Sequence, residues 1–129
     1  MPNPYAPLLA EIPVERRTAE ILGGTTAYWT YGDEAADTTI VAVHGFRGEH
    51  HGLEPVVAHL PGIRVVSPDL PGFGETAPLP GRTHDLDAYA AWLRAFRRST
   101  RNSTRRKPQS NARPSIISLM RRLKPVPRR

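Results

Sequence analysis

The residue types best suited to chemistry crowd into one stretch, IVAVHGFRGEHHG at residues 40–52, where an apolar run opens onto His44, two glycines, Arg47 and the pair His50-His51. With Glu54 close by, these histidines invite a metal reading. Adjacent histidines point to different sides of most backbones, and no pair stands at i, i+4 on a helical pattern as a zinc site favours. The spacing therefore reads as solvated loop histidines, with no metal and no cofactor. The chain has no cysteine, so disulfides, thiolate metal sites and cysteine nucleophiles are excluded. A second stretch, DLPGFG at residues 69–74, again closes an apolar run with a carboxylate and closely spaced glycines.

Both stretches need strands to hold them. Residues 38–44, TTIVAVH, form a short apolar, β-branched run suited to a strand covered on both faces. Residues 63–67 supply a second such strand. Between them LEPVVAHL, residues 53–60, puts Leu53, Val56, Val57 and Leu60 on one helical stripe, with Pro55 tolerable in a first turn. Upstream, two β-leaning runs at residues 16–22 and 25–31 flank Gly23-Gly24, a pair that suits a tight hairpin turn. Downstream, Leu86, Tyr89, Ala90, Leu93 and Phe96 recur at helical spacing behind Thr83 or Asp85 as a cap. Hairpin, strand, helix, strand, helix predicts an α/β fold: an N-terminal β-hairpin plus β-α-β-α with parallel strands.

Charge divides the 129 residues sharply. Six basic and all twelve acidic residues lie in residues 1–96, a formal −6; the other twelve basic residues and no acid lie in residues 97–129, a formal +12. The expected organisation is an N-terminal extension over residues 1–13, a folded unit over 14–96, and a basic, largely disordered tail over 97–129, whose first half has little apolar surface to offset the entropy of ordering. Within the tail only PSIISLMRRLK, residues 114–124, is periodic, and a helix that short is marginal alone. The N-terminus has no basic region followed by an apolar one, and nothing approaches a membrane span, so the expectation is a cytoplasmic protein.

A strand ending in His44-Gly45-Phe46-Arg47-Gly48, then about 25 residues later a strand ending in Asp69-Leu70-Pro71-Gly72-Phe73-Gly74, with a hairpin before and a helix between, resembles the N-terminal part of the α/β-hydrolase superfamily. Within it, the stretch HGFRGEHHGLEPVVAHL is most similar to bacterial esterases and carbon–carbon bond hydrolases. The resemblance covers roughly residues 14–96. It implies that the His-Gly loop forms half of an oxyanion hole, with the N–H of Phe46 as donor and His44 and Gly45 shaping the loop; each such donor stabilises a developing oxyanion by about 2.7–4 kcal/mol. It also implies a structural turn in which Asp69 bonds nearby backbone while Gly72 and Gly74 permit tight packing. The substrate implied for full-length relatives is a small ester or ketone.

The partners of such a loop are missing from this sequence. A serine hydrolase places its nucleophile in Gly-x-Ser-x-Gly, followed by an acid and a histidine. Here the last glycine is Gly81, the last histidine His84 and the last acid Asp87. No catalytic residue is therefore assigned, and the chain as given is expected to be inactive. The change of character after Phe96 suggests a truncated or frame-shifted hydrolase, because an acid-free Arg/Pro/Ser/Thr-rich segment is what a GC-rich gene yields out of frame. Two other readings stand beside it. One is a non-catalytic binding protein that uses the basic tail on nucleic acid or an anionic surface, disfavoured for nucleic acid because the tail lacks Phe, Tyr and Trp for stacking. The other is one half of a split hydrolase. The family's strand order would also leave residues 39–43 as an open sheet edge, a route to self-association.

Overall fold

The computed structural model describes residues 3–105. A short helix α1 (Ala6–Ala10) lies within the N-terminal extension and leads into β1 (Val14–Ile21) and β2 (Gly24–Tyr31), the arms of an antiparallel hairpin. Its loop is Leu22-Gly23, both at positive φ (52° and 83°), the two-residue turn whose twist matches the flanking strands. The predicted Gly23-Gly24 pair is thus shifted by one. Gly24 already belongs to β2, where its missing side chain makes room for Leu79; a Cβ there would sit 3.2 Å from Leu79 Cδ2.

Two short strands complete the sheet, β3 (Thr39–Val41) and β4 (Arg64–Pro68). They pair in parallel, whereas β2 pairs antiparallel with β4, giving the order β1-β2-β4-β3. Between β3 and β4 the helix expected over residues 53–60 divides into a 3-10 turn, His50–Leu53, and a single α turn, α2 (Glu54–Val57), with Pro55 in its first turn. Last comes α3 (Leu86–Arg105), capped by the Asp85 carboxylate, which accepts the Ala88 N–H at 2.8 Å.

The core has two layers, one on each face of the sheet. On one face Trp92 and Phe96 of α3, both fully buried, pack on Ile21, Tyr28, Val66 and Leu79; the Phe96 ring meets Tyr28 edge-on at 5.3 Å, and Trp92 Nε1 donates to Thr26 Oγ1 at 3.0 Å. On the other face Ala27, Trp29, Tyr31, Val57 and Val65 form the core, flanked by Leu9, Ile12 and Leu60. Alternate residues of β2 feed the two layers because its side chains point to opposite faces with a period of two.

Phe96 does not end the ordered structure. The helix continues through Arg105, nine residues into the segment expected to be disordered. The physical reason is that Trp92 and Phe96 supply the tertiary anchor a helix needs, after which each further residue adds one hydrogen bond at low cost. No glycine or proline interrupts residues 97–105, and Thr100 Oγ1 bonds back to the Phe96 carbonyl at 3.1 Å. The periodic segment at 114–124 lies outside the described residues.

Strand β3 forms one edge of the sheet, and among the described residues no strand pairs with its outer side. Ile40 and Val43 are both more than a third exposed there. An apolar edge without lysine, proline or bulge is a template for pairing with another molecule, so the purified chain is expected to self-associate. Val41 packs against the α3-side core, which makes Ile40 the better position for a charge. Size-exclusion chromatography with light scattering should show Ile40→Lys shifting the protein toward monomer; an unchanged distribution would exclude β3 as the contact.

Candidate functional site

The two motifs meet where β3 and β4, being parallel, both end. In open α/β sheets that is where ligands bind, at the carboxyl ends of the strands. His44, buried near the start of the first loop, joins them: its Nε2 accepts the Leu70 N–H at 2.9 Å, and its Nδ1 lies 2.8 Å from the Gly45 carbonyl. A nitrogen that accepts a backbone N–H carries a lone pair, so Nδ1 holds the proton and donates it to Gly45 O. His44 is thereby a neutral brace between loops rather than a free base.

Beyond His44 the chain turns sharply. The Gly48 N–H closes back on the Gly45 carbonyl at 3.0 Å, with Arg47 at φ 63° in the third position of the turn, where glycine or asparagine is the usual occupant. Gly48 keeps the closure uncrowded, because a Cβ there would stand 3.0 Å from Gly45 O and 3.3 Å from His44 Nδ1. Gly45 faces open space. The turn holds Phe46 82% exposed, with its ring edge-on to Phe73 at 5.5 Å. The Phe46 N–H has no acceptor among the described residues.

The second loop is built around Asp69, which is fully buried. Its Oδ1 accepts both the backbone N–H of His50 (2.8 Å) and the His50 ring Nδ1–H (2.9 Å), and its Oδ2 accepts the Glu75 N–H at 2.9 Å. Pro71 and Gly72 (φ 87°) make the tight turn closed by Phe73 N–H to Leu70 O at 2.9 Å. At Gly74 (φ 51°) a Cβ would overlap the Asp69 carboxylate.

The sequence expectation of solvated loop histidines is corrected for His50. It is 2% exposed, stacked on the Trp29 indole at 3.2 Å between ring centroids with 9° between planes, and held by Asp69. The residue that buries it comes from β2, far away in sequence, and the only local signal was the alternation Ala27, Trp29, Tyr31 on one strand face. His51 is exposed and pairs with Glu49 at 3.0 Å.

No serine or threonine hydroxyl bonds a histidine among the described residues, and Ser67, at the end of β4, is fully enclosed with its Oγ unpartnered. A cleft of about 400 Å³ lies at the opposite end of the sheet, lined by Leu9, Ile12, Val14, Tyr31 and Glu54 among others. There Tyr31 O–H donates to Glu54 Oε2 at 3.2 Å, and burial, then the Glu54 charge, pushes the phenol well above its usual range. That hydrogen bond ties β2 to α2.

No family model matches the chain, and no curated protein matches it in sequence. Solved structures do. The Cif epoxide hydrolase from Acinetobacter nosocomialis superposes with TM-score 0.58 at 25% identity, covering 64% of this chain and 25% of that one. The fold is the N-terminal part of an α/β-hydrolase. The haloalkane dehalogenase DatA from Agrobacterium tumefaciens C58 gives TM-score 0.60 at 18% identity, over 68% of this chain and 29% of its own. The epoxide hydrolase VrEH1 from Vigna radiata gives 0.56 at 24% identity, over 67% and 28%. The chain thus spans about a quarter of the length of the α/β-hydrolases it matches first.

Among the described glycines, Gly74 is where an added Cβ would meet the shortest contact, against Asp69 Oδ2. Gly74→Ala is expected to destabilise the chain by about 3 kcal/mol or more, since it combines a left-handed backbone with overlap onto a buried hydrogen-bonded carboxylate. Gly45→Ala, whose Cβ meets nothing, is expected to cost less than about 1 kcal/mol. Urea unfolding of the two variants beside the parent checks the contrast, and equal midpoints would refute it.

Proposed function

We propose that this chain carries the oxyanion-loop portion of a serine hydrolase of ester or carbon–carbon bonds, with the Phe46 N–H as one donor, and that these residues alone do not catalyse. The observation that carries the reading is the free Phe46 N–H on a turn braced by His44 at the carboxyl end of β3. Preorganisation of this kind is what an oxyanion hole requires, since a donor that needs no rearrangement stabilises charge as it develops. His44 and Gly45 act on it through loop shape. Asp69, Gly72 and Gly74 act behind it by fixing the second loop. The similar structures named as an epoxide hydrolase and a haloalkane dehalogenase extend the range of bonds to test.

The purified chain should give no p-nitrophenyl acetate turnover above background, because losing the nucleophile of a triad alone removes about 10⁶ in rate. Mixing it with the C-terminal remainder of an α/β-hydrolase, bearing Gly-x-Ser-x-Gly, Asp and His, tests the loop. Any turnover gained should fall about 10²–10³-fold with Phe46→Pro, which removes the donor. Activity of the chain alone would defeat the first half of the proposal, and activity indifferent to Phe46→Pro the second.

One observation favours a second reading, binding to a polyanion. Arg94, Arg97, Arg98 and Arg101 are exposed along α3, and none forms an ion pair among the described residues. If they and the downstream basic residues grip phosphates, filter binding of a DNA duplex should weaken steeply as salt rises. No binding near physiological salt would remove this reading.

A further inference from the structure

His50 is more thoroughly organised than a loop histidine needs to be. Its Nδ1 lies 2.9 Å from the Asp69 Oδ1 that also accepts the His50 backbone N–H, so Nδ1–H donates to that oxygen and, in the neutral ring, the lone pair resides on Nε2. No donor among the described residues satisfies that nitrogen. Trp29 on one face and Asp69 at Nδ1 fix the ring. A buried imidazole with one nitrogen on a carboxylate and the other free is the arrangement found behind metal-bound histidines, where the carboxylate sets the tautomer and raises ligand basicity.

Two further ligating residues stand beside it. One ligand atom from each of Glu49, His50 and His51 lies within 4.8 Å of the others. A tetrahedral zinc site with bonds of about 2.0–2.1 Å brings its ligand atoms to about 3.4 Å apart. The remaining closure falls to Glu49 and His51, whose exposed side chains can rotate, while His50 stays in place. Glu49 and His51 already hold each other at 3.0 Å.

We propose that Glu49, His50 and His51 form a binding site for a divalent cation of the zinc class, with Asp69 orienting His50. Two imidazoles and one carboxylate suit Zn²⁺ or Co²⁺ better than Ca²⁺ or Mg²⁺, which take oxygen ligands. The fourth position is left to solvent. The site borders the His44 loop in sequence but uses none of its residues.

The test uses the full, tag-free chain and the metals alone. Titration calorimetry with Zn²⁺ should show one saturable site per chain, and Co²⁺ should give the intense visible absorption of a tetrahedral complex that Zn²⁺ displaces. His51→Ala and Glu49→Gln should each weaken Zn²⁺ binding at least about tenfold. His59→Ala should leave it unchanged, since the His59 ring is engaged with the Pro55 carbonyl. Because His50→Ala would uncover Trp29 and strand the Asp69 carboxylate, the two surface variants decide the matter. Absence of saturable binding, a weak octahedral Co²⁺ spectrum, or binding that survives His51→Ala would each overturn the proposal.

Discussion

Burying a carboxylate strips it of water, and the cost of several kcal/mol is tolerable only if other donors replace that water. Asp69 meets this condition with three N–H groups: two from His50 and one from Glu75. Because those donors come from the loop before α2 and from the turn after β4, satisfying one side chain fixes two loops at once. Its own N–H, bonded to the Ala27 carbonyl at 3.0 Å, carries the constraint into β2. Gly74 follows from the same requirement, since any side chain there would occupy the space the carboxylate fills.

Two histidines then divide the labour by tautomer. His44 keeps its proton on Nδ1 and accepts from Leu70 through Nε2, so it can bridge two backbone segments in a buried place without a charge. His50 also keeps its proton on Nδ1 but gives it to Asp69, leaving Nε2 free. One ring closes the loop that presents Phe46; the other ties the loop before α2 to the buried carboxylate. The strained Arg47 and exposed Phe46 rest on the first arrangement, since the closed turn they occupy begins at the carbonyl that His44 holds.

Strand β2 connects these loops to the core. Its odd-numbered residues 27, 29 and 31 supply one layer, including the indole under His50, while Tyr28 and Thr26 face Trp92 and Phe96 of α3. The helix is therefore anchored to the same strand that supports the site, and this anchoring lets it run on through residues whose composition alone would not hold them in order.

By itself the sequence determined the α/β class, the hairpin and the parallel pair, because periodicity, β-branched runs and glycine turns are local properties that local physics obeys. It also marked the two strand-end loops, since glycine and proline at those spacings leave few backbone choices. Short contacts decided the rest. The turn moved to Leu22-Gly23 because pairing register across the hairpin sets which residues must turn, and register depends on both arms together. Residues 97–105 became helical because Trp92 and Phe96 found Tyr28 and Thr26, more than sixty residues earlier. His50 was buried by Trp29 of β2 and by Asp69 of the loop after β4. A histidine between a glutamate and a histidine looks solvated in one dimension, and only the tertiary fold brings the indole and the carboxylate that remove it from water.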